Sequence, residues 1–251
     1  MGTAGIVEEE CGLRAFFDDA VDPAPLCARF ELAQTTVRHE LPFDPASLPP
    51  PEYDPILIGE RFYIAPSWLH APTQPGRFRL TIDATSAFGS GRHESTQLCI
   101  EALEKHLQPG DVVVDIGCGS GILSAAAHLL GAGAIFSCDI HADSVRTAKT
   151  LLETPLFVGS ADAIRSGVAD FVLANISAKI VDSLAADLRR IAKPSGVIVL
   201  AGFLSENPPA RFRAAEALKK GDWECWVSKP ADIEVIEVDR EPATHSEQWW
   251  L

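Results

Sequence analysis

Positive charge is scarce in this sequence: 21 lysines and arginines stand against 35 aspartates and glutamates, a formal net charge of −14. The basic residues form no cluster. Phosphate binding needs clustered Lys and Arg to displace condensed counterions, so direct nucleic-acid binding is excluded as a primary role. The acidic excess either serves solubility alone or draws a basic partner by raising the rate of encounter. A second shortage is of paired metal-ligand motifs. The six cysteines, Cys11, Cys27, Cys99, Cys118, Cys138 and Cys225, include no CxxC pair and no His at zinc spacing, so they read as reduced, packed thiols with no metal role. No apolar run has the length a membrane helix needs, and Met1–Glu10 carries neither a basic leader nor an apolar core. A cytoplasmic protein without a membrane partner is expected.

What is present is an ordinary globular composition, 47% hydrophobic and 22% charged over 251 residues, enough for one well-buried α/β domain and a small appendage. Residues 1–53 read as that appendage: a strand over Leu13–Phe17, a helix over Asp22–Ala33 whose Pro23 suits a first turn, and a proline-dense linker from Leu41 to Pro55. Residues 54–251 read as the main domain. Ile56–Ile58 and Arg61–Ala65 predict a hairpin around Gly59-Glu60, and Phe78–Ile82 a further strand.

From there helix and strand patterns alternate. Helices are expected over Glu94–Leu107, Ile122–Leu130, Asp143–Leu152, Ala178–Ala192 and Pro209–Lys219. Strands are expected over Val112–Ile116, Ala134–Cys138, Leu156–Val158, Phe171–Ala174, Val197–Ala201, Glu224–Val227 and Ile233–Val238. Such alternation predicts a doubly wound α/β fold with a mostly parallel sheet covered on both faces, plus a small partial α+β segment at the N-terminus.

The strongest local signal is Val112-Val-Val-Asp-Ile-Gly-Cys-Gly-Ser-Gly121, a buried strand running into a glycine-rich turn and then a helix. Gly117, Gly119 and Gly121 let the backbone approach a ligand where open α/β sheets bind them. In the nicotinamide fingerprint the last glycine follows three residues after the second; here it follows after two, and Ile122 stands where that fingerprint needs glycine. Asp115 before the turn and Asp139 at the end of the next strand supply acceptors for a nucleoside cofactor, and a carboxylate at the second position can take both ribose hydroxyls. The structural alternative for Asp139 is a helix N-cap.

These residues resemble the class I, Rossmann-like S-adenosyl-L-methionine-dependent methyltransferases. Three further segments, Ala87-Phe-Gly-Ser-Gly-Arg-His-Glu-Ser-Thr96, Val172-Leu-Ala-Asn-Ile-Ser-Ala178 and Gly59-Glu-Arg-Phe-Tyr-Ile-Ala-Pro-Ser-Trp68, are similar to those of the ribosomal protein L11 methyltransferase family. That resemblance spans about Asp54 to Leu204. It implies cofactor contacts from Thr96, Gly117, Asp139 and Asn175, within a site that also holds Asp115, Gly119 and Gly121. Phe88 is expected over the cofactor or the acceptor amine, where an aromatic face suits a sulfonium; core packing is its other reading.

The implied reaction is N-methylation of a lysine or N-terminal amine of a basic protein such as a large-subunit ribosomal protein, with Asn175 orienting the neutral amine. His93 invites a general-base role or, at a turn before a helix, a capping one. Two other functions share the motif: methylation of a small molecule, and cofactor binding without catalysis. The family carries a complete ferredoxin-like N-terminal domain, of which only Ile6 to about Ala33 corresponds here, so an abbreviated recognition segment is expected. Ser90 and Ser177 stand where the family has threonine and leucine.

Overall fold

A computed structural model of the chain describes residues 5–9, 12–16, 54–70, 72–82 and 91–234. The chain divides into two compact units, Met1–Pro51 and Glu52–Leu251. In the first, β1 (Gly5–Glu9) and β2 (Gly12–Phe16) form an antiparallel hairpin with Ile6 opposite Ala15. The strand expected over Leu13–Phe17 is thus present one residue earlier. The helix expected over Asp22–Ala33 and nearly all of the proline-dense linker lie outside the described residues.

The second unit opens with a three-stranded sheet of β3 (Ile56–Ile58), β4 (Phe62–Ala65) and β5 (Phe78–Thr81), β3 antiparallel and β5 parallel to β4. Phe62 and Ile64 are fully buried. Helix α1 (Glu94–His106) clamps the hairpin turn: the Glu104 carboxylate accepts the backbone N–H groups of Glu60 at 3.0 Å and Arg61 at 2.9 Å.

The main sheet contains β6 (Val112–Ile116), β7 (Ala134–Asp139), β8 (Leu156–Val158), β9 (Ala169–Asn175), β10 (Ala192–Leu204), β11 (Glu216–Lys220) and β12 (Trp223–Ser228), in the spatial order β11-β12-β10-β9-β6-β7-β8. Only β12 runs against its neighbours, so the expected mostly parallel, doubly wound sheet is the fold observed. Period-two alternation sends successive valines of β6 to opposite faces. Val113 joins a core with Leu98 and Leu103 of α1 and Ala126 of α2 (Ile122–Leu129); Val114 joins another with Leu188 and Ile191 of α5 (Ala185–Ile191). After β6 the chain moves outward to β7 and β8, by way of α3 (Ala142–Ala148), then returns to β9 on the other side of β6. The carboxyl ends of β6 and β9 therefore flank the switch point at which doubly wound sheets form their crevice.

Several expectations are corrected. The segment Pro209–Lys219 holds no helix; its second half is strand β11. Ala, Glu, Leu and Lys favour helix by only tenths of a kcal/mol per residue, whereas β11 pairs with β12 through a two-residue turn at Gly221-Asp222, where Gly221 has φ 58°. The burial of β11 alternates along its length, with Leu218 packing on the core and Ala217 and Lys219 exposed. The helix expected over Ala178–Ala192 breaks at Leu184 into α4 (Ala178–Ser183) and α5, where the Leu184 amide is shared between the carbonyls of Ile180 and Val181. Helix α3 stops at Ala148, four residues short of Leu152, in a turn that precedes Pro155. Of the strand expected over Ile233–Val238, Ile233 makes a single antiparallel bridge to Phe212, and residues from 235 onward lie outside the described residues.

Cys99, Cys118, Cys138 and Cys225 are free and buried, as their reading as packed thiols requires. Among the described residues no helix is long and apolar enough to cross a membrane.

Candidate active site

Asp115, the penultimate residue of β6, is 1% exposed. One carboxylate oxygen, Oδ2, accepts the Ser124 hydroxyl at 2.6 Å, and Ser124 lies 2.8 Å from the Ser137 hydroxyl of β7. The other, Oδ1, is buried without a hydrogen-bond partner among the protein groups. Burial raises the Asp115 carboxyl to about 6; the nearby Asp139 charge adds to the rise and the Ser124 hydroxyl opposes it. An acid of this kind, one oxygen satisfied and the other orphaned beneath a glycine turn, has room for one more donor.

The turn takes positive φ at Gly117 (73°), Gly119 (54°) and Gly121 (82°). The three glycines differ in what lies where a side chain would be. A Cβ at Gly121 would stand 2.9 Å from Leu152 Cδ1 and 3.1 Å from Ala148 Cβ, so this glycine admits close packing at the start of α2. A Cβ at Gly117 would meet Ile176 Cγ2 at 2.7 Å. At Gly119 it would meet nothing within 4 Å: here the backbone itself borders open space.

Asp139, 7% exposed at the end of β7, faces this turn. Its Oδ2 accepts the Gly119 amide at 3.0 Å and its Oδ1 the His141 amide at 2.9 Å. The carboxylate thus braces the turn against the β7–α3 connection. The N-cap position of α3 is held by His141, not by Asp139. Each oxygen uses one of its acceptor sites, which leaves capacity for hydroxyl donors.

Across the crevice, Asn175 ends β9 and its amide nitrogen donates to the Thr96 hydroxyl of α1 at 3.4 Å. Thr96 is buried and Asn175 half-buried. Two residues 79 apart in sequence are brought together because α1 packs over β9 and β10. His93 is the N-cap of α1: its Nδ1 accepts the Ser95 amide at 3.2 Å and lies 2.8 Å from the Ser95 hydroxyl, while its ring meets Trp223 edge-on at 4.4 Å between centroids. Of its two sequence readings, capping is the one this geometry matches. Phe88 and Ser90 lie outside the described residues. Ser177, exposed, precedes α4.

Sequence reasoning missed Ser124 and Ser137, which hold Asp115. The only signal for Ser124 is a lone hydroxyl inside the apolar run Ile122-Leu-Ser-Ala-Ala-Ala127, on a face that proves fully buried. Among the described residues, no three His, Cys, Asp or Glu side chains lie close enough to hold a metal ion.

Comparison with known proteins places the chain in context. The family model described as ribosomal protein L11 methyltransferase (PrmA) matches residues 16–230. A ribosomal protein L11 methyltransferase of Burkholderia thailandensis is 36% identical over 226 residues, 82% of this chain and 73% of that one. That of Paraburkholderia xenovorans is 40% identical over 175 residues, 68% of this chain and 58% of the relative. The crystal structure of a ribosomal protein L11 methylase from Lactobacillus delbrueckii subsp. bulgaricus superposes with a TM-score of 0.60 at 26% identity, covering 70% of this chain and 98% of that chain.

Proposed function

The chain belongs to the ribosomal protein L11 methyltransferase family, and from that premise we propose that it transfers the methyl group of S-adenosyl-L-methionine to a lysine or N-terminal amine of a basic ribosomal protein in the cytoplasm. One observation carries this reading: the glycine turn with Asp115 and Asp139, and the Asn175–Thr96 pair, meet at the switch point of one sheet.

The residues present fit the cofactor. Gly119 exposes backbone to open space, Asp139 has acceptor sites left for ribose hydroxyls, and Asp115 Oδ1 awaits a donor. Gly117, Gly121 and Thr96 complete the set, with Phe88 assigned to the aromatic cover. When bound, S-adenosyl-L-methionine supplies a methyl group on a sulfonium that carries its own leaving group. What the protein must add is alignment of the acceptor, and alignment alone accounts for large rate gains.

The acceptor amine must be neutral, although a free lysine with a pKa near 10.4 is almost wholly protonated at neutral pH. Asn175 donates one of its two amide N–H groups to Thr96, and its Oδ1 or a neighbouring backbone carbonyl accepts a hydrogen from the amine and aims the lone pair. The deficit of positive charge suits a basic substrate. Substrate presentation is assigned to residues 1–53 and methyl transfer to 54–251.

The test is calorimetric titration with S-adenosyl-L-methionine, followed by incubation of the protein with labelled cofactor and a ribosome-bearing extract. Label entering one small basic protein is the expected result. Binding without protein labelling would move the acceptor to a metabolite, and no binding at all would remove the assignment.

A further inference from the structure

Strand β10 runs parallel to β9 with Ala201 opposite Asn175. Against β12, Ala201 pairs with Cys225 and Phe203 with Glu224, so Gly202 is an extra residue bulged from the ladder beside the end of β9. It has φ 93°, and a Cβ there would stand 2.7 Å from the carbonyl oxygen, 2.8 Å from the carbonyl carbon and 2.9 Å from the nitrogen of Ile176. These are backbone atoms, which cannot swing aside as the end of a side chain can. The Ile176 amide also donates to the Ala201 carbonyl at 2.9 Å.

The other side of Ile176 is closed as well, since a Cβ at Gly117 would meet Ile176 Cγ2 at 2.7 Å. Ile176 is therefore seated between the glycine turn that follows β6 and the bulge of β10. Bulges re-aim neighbouring groups, and the residue aimed here is the one immediately before Ile176. We propose that Gly202 is a positioning residue for methyl transfer: by omitting a side chain it lets the Ile176 backbone seat against β10, and that seat sets the aim of the Asn175 amide. The inference rests on the function proposed above. It acts through alignment, where a displacement of about 1 Å costs on the order of a hundredfold in rate.

The test compares full-length Gly202→Ala with Gly167→Ala. Gly167 has φ 64° with nothing within 4 Å of its Cβ position, and it precedes β9 at the opposite end of the sheet; it shares the backbone strain without the close approach. Turnover is measured at saturating labelled cofactor on protein L11 of unmethylated large ribosomal subunits, beside calorimetric cofactor affinity and the side-chain amide resonances of Asn175. Expected for Gly202→Ala is a turnover at least about tenfold below that of Gly167→Ala, cofactor affinity within about threefold of wild type, and displaced Asn175 resonances. Equal turnover in the two variants, unmoved Asn175 resonances, or a cofactor affinity that falls in step with turnover would each overturn the proposal. If wild type itself transfers no label to protein, the proposed substrate fails, and the Asn175 resonances still decide the role of Gly202.

Discussion

Replacing Asp115 by Asn should remove a pH dependence of stability that wild type carries, so that the variant gains on wild type as pH rises toward neutral. The carboxyl lies at about 6 in the folded protein against 3.8 when unperturbed, chiefly because it is fully buried. Between those two values the folded state holds a proton that the unfolded chain has released, so stability declines as pH rises through the window and levels off above it. Each pH unit of displacement is worth about 1.4 kcal/mol, which makes the total about 3 kcal/mol at pH 7. Roughly half of it is already lost at about pH 5.

Asparagine keeps the shape and can accept from Ser124 through its oxygen while its nitrogen takes the place of the orphaned Oδ1. The constant part of the difference depends on how well that amide is satisfied, but its slope with pH does not. Chemical denaturation followed by tryptophan fluorescence, at half-unit steps from pH 4 to 8, should show the variant's stability relative to wild type rising by about 2.5 kcal/mol, the remainder of the total lying below pH 4, and then flattening. Parallel wild-type and variant curves between pH 4 and 7 would refute the reasoning. The variant should bind S-adenosyl-L-methionine worse, because an amide nitrogen in the place of Oδ1 cannot accept the donor that the carboxylate oxygen can.

Five further substitutions probe the site and its supports. Asp139→Ala should weaken cofactor binding at least about tenfold, since one charge-assisted hydrogen bond contributes about 1.5–3 kcal/mol; a calorimetric affinity within twofold of wild type would exclude the assignment. Asn175→Ala should lower turnover far more than cofactor affinity, and wild-type turnover would remove Asn175 from the mechanism. Gly121→Ala and Gly119→Ala both carry the strain of a positive φ, but Gly121→Ala should lower the melting temperature further because its Cβ also strikes Leu152 and Ala148, whereas Gly119→Ala, whose Cβ enters the open space beside the turn, should cost cofactor affinity as well. Glu104→Ala should lose about 1 kcal/mol of stability, as two backbone N–H groups of the β3–β4 turn lose their acceptor; an unchanged melting curve would show that water replaces it.

The parts of this architecture legible in the sequence are those decided over short range. Apart from Asp115, the run Val112–Ile116 is apolar and buried on both faces because β6 is central, and the glycines after it are demanded by the turn itself, so strand, turn and helix could be placed from ten residues. The segment Pro209–Lys219 fails for the opposite reason. Its residues favour helix locally, and only the partner strand at Trp223–Ser228, with Glu216 paired to Lys105 and Lys220 to Glu101 of α1, turns it into β11. The site divides in the same way. Asp115, Asp139 and the glycines announce themselves by their place near strand ends, whereas Thr96 and Asn175 have no periodicity to betray them and are implied by the family resemblance alone; their contact with each other is visible only in the fold.

Least legible of all is what supports these groups. Ser124 and Ser137 are ordinary hydroxyls in apolar segments, and Gly202 is one glycine among 18. Their significance comes from which atoms lie within 3 Å, and that depends on how α2, β7 and β9 pack. A glycine whose missing Cβ would strike the backbone after Asn175 cannot be told by sequence from one at an exposed turn such as Gly167. The reactive groups of a doubly wound site follow from strand ends, but their alignment follows from the close packing of the residues directly behind and beside them. Substitutions at Gly202 and Ser124 therefore test the architecture of this site more sharply than truncation of the residues that line it.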